Sequence, residues 1–426
     1  MTLFAFAGGY NWMAYVLAAG TVILAGVVAP SVGGSTYRWL DLGLLACGVV
    51  VTLALVPLPA DIRLTLSPAT RVIDLALRLG DTPSEATRPL SIDPAATGVS
   101  LALTIAMVLL FWCARSGFAR GGVRLCTRSV ATFGLVLAAI GMAQHATAPR
   151  MLYWTFPTRS ATPFGPYMNH SDFATWLVMA LPLTAGYLIA RLYSRRTSDG
   201  VPAGIAEAFD NTAMWLTTAI GFMAAALVVG LSRSGLVAAV AGLGSLWALS
   251  SVRMRGRARA WLLAGLIATA AIGAAYANTN AIASRVSETV NLGLGGRSAI
   301  WRETWPMIKD FWLTGVGPGA YERAMTVYQQ SPRVVYFNHA HNEYIQIAAE
   351  GGLLLAVPAF IVAVSGAWCI RRRLSADRTP IYWVRAGAVS GMVAVAVQSV
   401  WETGLRVPAN GLLFAVLAAI AMHQQE

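Results

Sequence analysis

The chain has 426 residues, of which 57% are hydrophobic and only 12% charged, against about 25% charged in a soluble domain. That balance excludes an ordinary soluble protein and leaves an integral membrane protein. A net charge of +12 would suggest nucleic acid in a soluble chain; here the arginines lie between apolar segments and report topology, with no nucleic-acid partner expected.

A membrane-spanning helix needs about 20 apolar residues. Candidate spans fall at 11–30, 39–58, 99–114, 129–147, 172–190, 213–231, 235–252, 261–277, 352–370, 381–400 and 408–423. The expectation is therefore an all-α polytopic bundle of about eleven (10–12) transmembrane helices, one membrane domain over residues 1–426. No basic n-region precedes the first apolar run, so that run is expected to span and not to be cleaved. Segment 59–98 is long, proline-rich and mixed in charge, and reads as a loop with a short surface helix around 69–80. Cys47, Cys113, Cys126 and Cys369 lie in or beside apolar segments without paired spacing, which argues against a metal or disulfide role.

The connecting loops alternate in charge. Arg115, Arg120, Arg124 and Arg128 fill one, Arg191, Arg195 and Arg196 another, Arg253, Arg255, Arg257 and Arg259 a third, and Arg371, Arg372, Arg373 and Arg378 a fourth. The positive-inside rule makes these four cytoplasmic. Segments 59–98, 148–171, 232–234, 278–351 and 401–407 then share the opposite face, with 278–351 as a long extracytoplasmic loop.

Four motifs on that face could carry chemistry. "TPFGPYMNHSDFATW" opens a helix with Asn169, His170, Ser171 and Asp172, with Ser171 or Asp172 as N-cap, and Arg150 and Arg159 before it. In "GLSRSG", Arg233 is the single charge between two apolar runs: a snorkelling turn residue, or a cation set to bind an anionic group. In "GGRSAIWRETWPMIKDFWLTGVGPGAY", Arg297, Trp301 and Trp305 share a helical face. The tryptophans alone denote only an interfacial helix. Arg297 is a second phosphate ligand or a solvated end charge. The glycine-rich turn before Tyr321 lacks the lysine and Ser/Thr of a P-loop, and reads as a sharp re-entrant turn.

The fourth, "FNHAHNEYIQIAAEGG", precedes an apolar span. A helix beginning near Asn338 would align His339, Glu343, Gln346 and Glu350 as one polar stripe, with His341 off it beside Asn342. Two histidines at i, i+2 are poor helical geometry for one metal. A hydrogen-bonded polar network and a general base with orienting partners remain the two readings; neutral imidazole can accept a proton at physiological pH.

Taken in order, "SRSG", "GRSAIWRETWPMIKDFWLTGVGPGAY" and "HAHNEYIQIAAEGG" closely resemble the O-antigen ligase and polymerase superfamily, the Wzy C-terminal domain family, over roughly residues 160–370. "PFGPYMNHSDFA" resembles its N-x-N-x-x-A element, with Ser171 where a second asparagine is usual. The resemblance implies a GT-C-like, inverting glycosyltransferase without metal or cofactor. It implies an undecaprenyl-diphosphate-linked glycan donor and an acceptor that is lipid A-core or another glycan. Its site would lie on the periplasmic face of a bacterial inner membrane. By that analogy Arg233 and Arg297 bind the donor diphosphate and His341 deprotonates the acceptor hydroxyl. His339 and Glu343 stand beside it, and Asn342, Gln346, Glu350, Asn169 and Tyr321 support them. Ligase and polymerase differ only in the acceptor. The competing class is a small-anion transporter resembling bicarbonate carriers, which should carry charge near the membrane midplane; the helix centres here are nearly free of it.

Overall fold

The computed structural model describes residues 13–77, 87–158, 162–198, 210–251, 296–331 and 337–424, with isolated positions between 253 and 271. Its helices, in chain order, are α1 (Met13–Val28), α2 (Arg38–Leu53), α3 (Ala60–Leu66), α4 (Thr70–Ala76), α5 (Pro94–Ala119), α6 (Val123–Thr147), α7 (His170–Ser198) and α8 (Asn211–Val229). There follow α9 (Arg233–Ser251), α10 (Gly296–Asp310), α11 (Tyr321–Tyr328), α12 (Glu343–Ala376), α13 (Ile381–Gln398) and α14 (Pro408–Met422). A two-residue ribbon, β1 (Met151–Leu152) with β2 (Phe156–Pro157), pairs antiparallel.

The described residues are thus mostly helical, as expected of an all-α membrane protein. Seven of these helices (α5, α6, α7, α8, α9, α12 and α13) are long and apolar enough to cross a membrane, and α1 and α14 are shorter apolar helices. The expected span at 261–277 lies almost wholly outside the described residues, as does 278–295 of the long loop.

The bundle is built around α7, the most enclosed of the seven. Lipid tails are as apolar as leucine, so membrane helices associate through close packing of small residues. Gly186 of α7 faces the backbone of Trp383 and Gly387 on α13, and a Cβ at either glycine would strike the other helix.

The two ends of the bundle differ in composition. Residues from all four arginine-rich loops gather at one end. Arg115 pairs with Asp41 at 2.9 Å and lies over the Tyr37 ring, and Arg373 donates to the Tyr37 hydroxyl. Arg253 donates to the carbonyls of Leu374 and Asp377, and Arg124 and Arg191 line one groove with Pro380.

At the opposite end, the segment after α2 and the long loop before α12 build a second apolar core. Ile73 and Ile92 come from the first, and Met307, Phe311, Tyr321 and Phe337 from the second. The backbone N–H of Ile92 donates to Val316 O at 2.9 Å, stitching the two together. Within this layer the helix expected around 69–80 forms as α4, with α3 before it; residues 78–86 lie outside the described residues.

Candidate active site

Helix α12 begins at Glu343, five residues later than the start expected near Asn338. The reason is local. Asn342 is the N-cap, its side-chain oxygen accepting from the N–H groups of Tyr344 and Ile345 at 3.0 and 3.1 Å. His341 before it has φ +48, a left-handed conformation that a helix cannot continue through. His339 therefore stands on extended chain and not on a helical stripe. Only Glu343, Gln346 and Glu350 keep the expected spacing.

The helix also breaks at its other polar boundary. Gly352 has φ +52 and ψ −157, which frees backbone groups that need partners. The "WLTGVG" segment of the long loop supplies them: Val316 and Gly317 donate to Ala349 O and Glu350 O, while Leu353 and Leu354 donate to Trp312 O and Leu313 O. Gly315, with φ +66, lies against the Glu350–Gly351 backbone, where a Cβ would not fit. The glycine-rich turn thus docks the break in α12.

Two polar clusters meet beneath His341. The first centres on Glu402, in the short loop between α13 and α14, whose side chain is only 6% exposed. Arg297 of α10 donates to Glu402 Oε1 at 2.5 Å, and its own side chain is 42% exposed. Ser234 donates to the same oxygen at 3.3 Å. His341 Nδ1 stands 3.7 Å from Glu402 Oε2, with 35% of the His341 side chain exposed. Burial alone raises the Glu402 pKa, but His341 and Arg297 outweigh it and hold this carboxyl below its ordinary value, so it is a carboxylate at neutral pH.

Arg233 is exposed and opens α9 at this same site, next to Ser232 and Ser234. Ser232 Oγ accepts from Gly235 N at 3.2 Å, capping the helix, and donates to Ser171 Oγ at 3.4 Å. Asn169, and neither Ser171 nor Asp172, caps α7: its side-chain oxygen accepts from Ser171 N at 2.9 Å. Asn169 is the last residue before α7 and has the reach to cap it, whereas Ser171 is already helical. Arg159 lies outside the described residues.

The second cluster centres on Arg406, four residues after Glu402. Arg406 Nη1 donates to Glu350 Oε2 at 2.8 Å, and its Nε lies 3.2 Å from Glu343 Oε1. Glu343 therefore faces Arg406, and neither histidine is its partner in an ion pair. Gln346 donates to Glu350 Oε1 at 2.9 Å. Beside Arg406, His339 has its Nδ1 buried without a hydrogen-bond partner among the described residues. Burial, then the charge of Arg406, push its pKa down to about 4. Tyr321 turns its hydroxyl to Thr304, sharing a 2.7 Å hydrogen bond with it inside the second core.

The two histidines thus occupy different environments. His341 faces a carboxylate and solvent; His339 faces an arginine and is held neutral. Glu402 and Arg406 were missed by motif reasoning, though "WETGLR" carries the two charges of the segment 401–407 already assigned to this face.

Residues 218–360 match the family model described as O-antigen ligase. The chain carries an O-antigen ligase family domain. Comparison with curated proteins gives no match. The O-antigen ligase match bears out the resemblance read from the motifs and is narrower than the 160–370 range. It takes in Arg233, Arg297, His339, His341 and Glu350, and ends before Glu402 and Arg406. Asn169 precedes it. The matched region therefore meets Glu402 and Arg406 from a loop beyond the match.

Proposed function

We propose that this protein is a membrane glycosyltransferase. It moves a glycan from an undecaprenyl-diphosphate-linked donor to an acceptor hydroxyl, as an O-antigen ligase or a polysaccharide polymerase, on the periplasmic face of the inner membrane. The observation that carries the reading is the convergence of His341, Glu402, Arg297 and the Arg233 helix start at the end opposite the basic loops.

The acceptor O–H loses its proton to His341 Nε2 as its oxygen attacks the anomeric carbon. The bond to the diphosphate breaks on the opposite side, so configuration inverts. Glu402 beside Nδ1 favours the tautomer that leaves the Nε2 lone pair open, and it stabilises the imidazolium that forms. The leaving diphosphate needs cations and N–H donors more than an acid. Arg297, Arg233 and the first N–H groups of α9 offer both. Arg297 is shared: a diphosphate that draws it from Glu402 leaves that carboxylate to His341 and Ser234. His339, neutral beside Arg406, stands behind the base and contributes to its setting. The full bundle on this reading has about eleven spans and a GT-C-like arrangement. Among the described helices, the α12 break lies at the site end, on one side of the bundle, which favours a transferase over a small-anion transporter.

The test uses purified protein in detergent or nanodiscs with lipid-linked donor and acceptor. His341→Ala should lower transfer by roughly 10²–10⁴-fold, the usual worth of a positioned general base. Transfer at the wild-type rate would remove His341 from the chemistry.

A further inference from the structure

His341 sits in a left-handed turn that a non-glycine residue adopts only under constraint. The residue before it, Ala340, is fully buried, and both of its peptide groups are held. Its N–H donates to Gln346 Oε1 at 2.6 Å. Its carbonyl accepts from the indole Nε1 of Trp301 at 2.9 Å. Neither partner is itself loose. Gln346 is tied through its amide to Glu350, and Glu350 to Arg406. Trp301 lies one helical turn after Arg297 on α10, so one helix carries both the cation on Glu402 and the donor on Ala340.

We propose that Trp301 and Gln346 are positioning residues that clamp Ala340 through the peptide groups on its two sides, fixing the turn that aims His341 at Glu402. Arg406 is the anchor of this clamp: it orients Glu350, which orients Gln346. The clamp also makes the position of the base depend on α10, the helix that carries Arg297. A tryptophan here is more than an interfacial anchor, because its N–H is spent on a backbone carbonyl next to the base. The assignment of His341 as base rests on the proposed transferase reading; the clamp itself does not.

Two variants each release Ala340 on one side: Trp301→Phe takes away the indole donor to its carbonyl, and Gln346→Met takes away the oxygen that accepts from its N–H, together with the amide donor to Glu350. Two readouts are needed. The first is steady-state transfer, where each variant should lower kcat by about tenfold with donor KM unchanged, the scale of a base displaced by a fraction of an ångström. The double variant should lose little more than the worse single one, since both act on the same residue, Ala340, and through it on one turn. The second is the rate at which diethyl pyrocarbonate modifies His341, read by peptide mass spectrometry with His145 as internal reference. Released from its turn and from Glu402, His341 should react faster in each variant and His145 should not. Unchanged His341 modification in both variants overturns the clamp, whatever the transfer rates. Faster modification with unchanged kcat keeps the clamp and overturns the catalytic role of His341, so the two failures are distinguishable.

Discussion

The two ends of this bundle are both rich in arginine, and they differ in what the buried polar groups beside those arginines do. At the basic end several guanidiniums are satisfied within the protein. Arg115 is buried against Asp41 and Tyr37, Arg253 lies 3.6 Å over the Tyr382 ring, and Arg385 donates to the carbonyls of Ala421 and His423 at the end of α14. These side chains close helix ends. At the other end Arg406 is fastened to Glu343 and Glu350, but Arg233 is exposed and Arg297, on the buried Glu402, is nearly half exposed. Counting arginines gives orientation; only their burial and partners separate a fastening from a ligand site.

Glu402 is the sharpest place to break that contrast. Glu402→Gln keeps the size and an oxygen for Arg297, yet removes the charge that steadies His341. Transfer should fall by about 10²-fold, near the low end of what a general-base pair supplies, and donor KM should stay close to wild type. A large rise in donor KM with kcat intact would mean that Glu402 serves the donor and not the base.

The open arginines come next. Arg233→Ala and Arg297→Ala should each raise donor KM by roughly tenfold, the worth of one charge-assisted contact, and the double variant should lose more. Thermal stability should barely move for Arg233→Ala, because an exposed charge contributes little. Donor titration and thermal unfolding of the purified variants read the two quantities. Donor affinity unaffected by both substitutions would rule out the diphosphate role.

Arg385 is the counterpart from the basic end. Arg385→Ala leaves Asp377 and the α14 carbonyls without their donor inside a buried site. The expected loss is about 3 kcal/mol of stability, as for other buried pairs broken on one side, seen as a lower midpoint in thermal or denaturant unfolding. Transfer per folded molecule should be unchanged. A catalytic defect in the fully folded variant would show that the ends are coupled and that the contrast drawn here is too simple.

How much of this could be read from the residues follows from the same physics. Seven of the expected spans, at 99–114, 129–147, 172–190, 213–231, 235–252, 352–370 and 381–400, were legible, because apolar length acts locally along the chain. The family was legible because its motifs are ordered and dense between Arg233 and Glu350. The start of α12 was misplaced by periodicity alone: a polar stripe does not reveal that Asn342 caps the helix or that His341 turns left-handed before it. Glu402 and Arg406 carry no motif. Their partners lie 56 or more residues away in the chain, and only packing brings them together. The histidine roles could not be divided from "HAH" either, since the difference lies in what each ring faces.

That division leaves the smallest effect to measure. His339 is buried beside Arg406 with a pKa lowered to about 4 from an ordinary 6.5, so the folded state resists protonating it. Between those two values the unfolded chain binds more protons than the folded one, and stability must rise with pH across that window. Read downward, the contribution is complete above about pH 6.5 and is lost as pH falls toward 4. The unfolding midpoint of wild-type protein should therefore decline over that range more steeply than that of His339→Gln, which cannot take up the proton. Because Glu402, with a lowered pKa of its own, also loses its contribution in acid, the informative quantity is the difference between the two profiles and not either slope. Parallel profiles would mean that His339 is not held neutral by its surroundings, and the contrast between the two histidines would then rest on geometry alone.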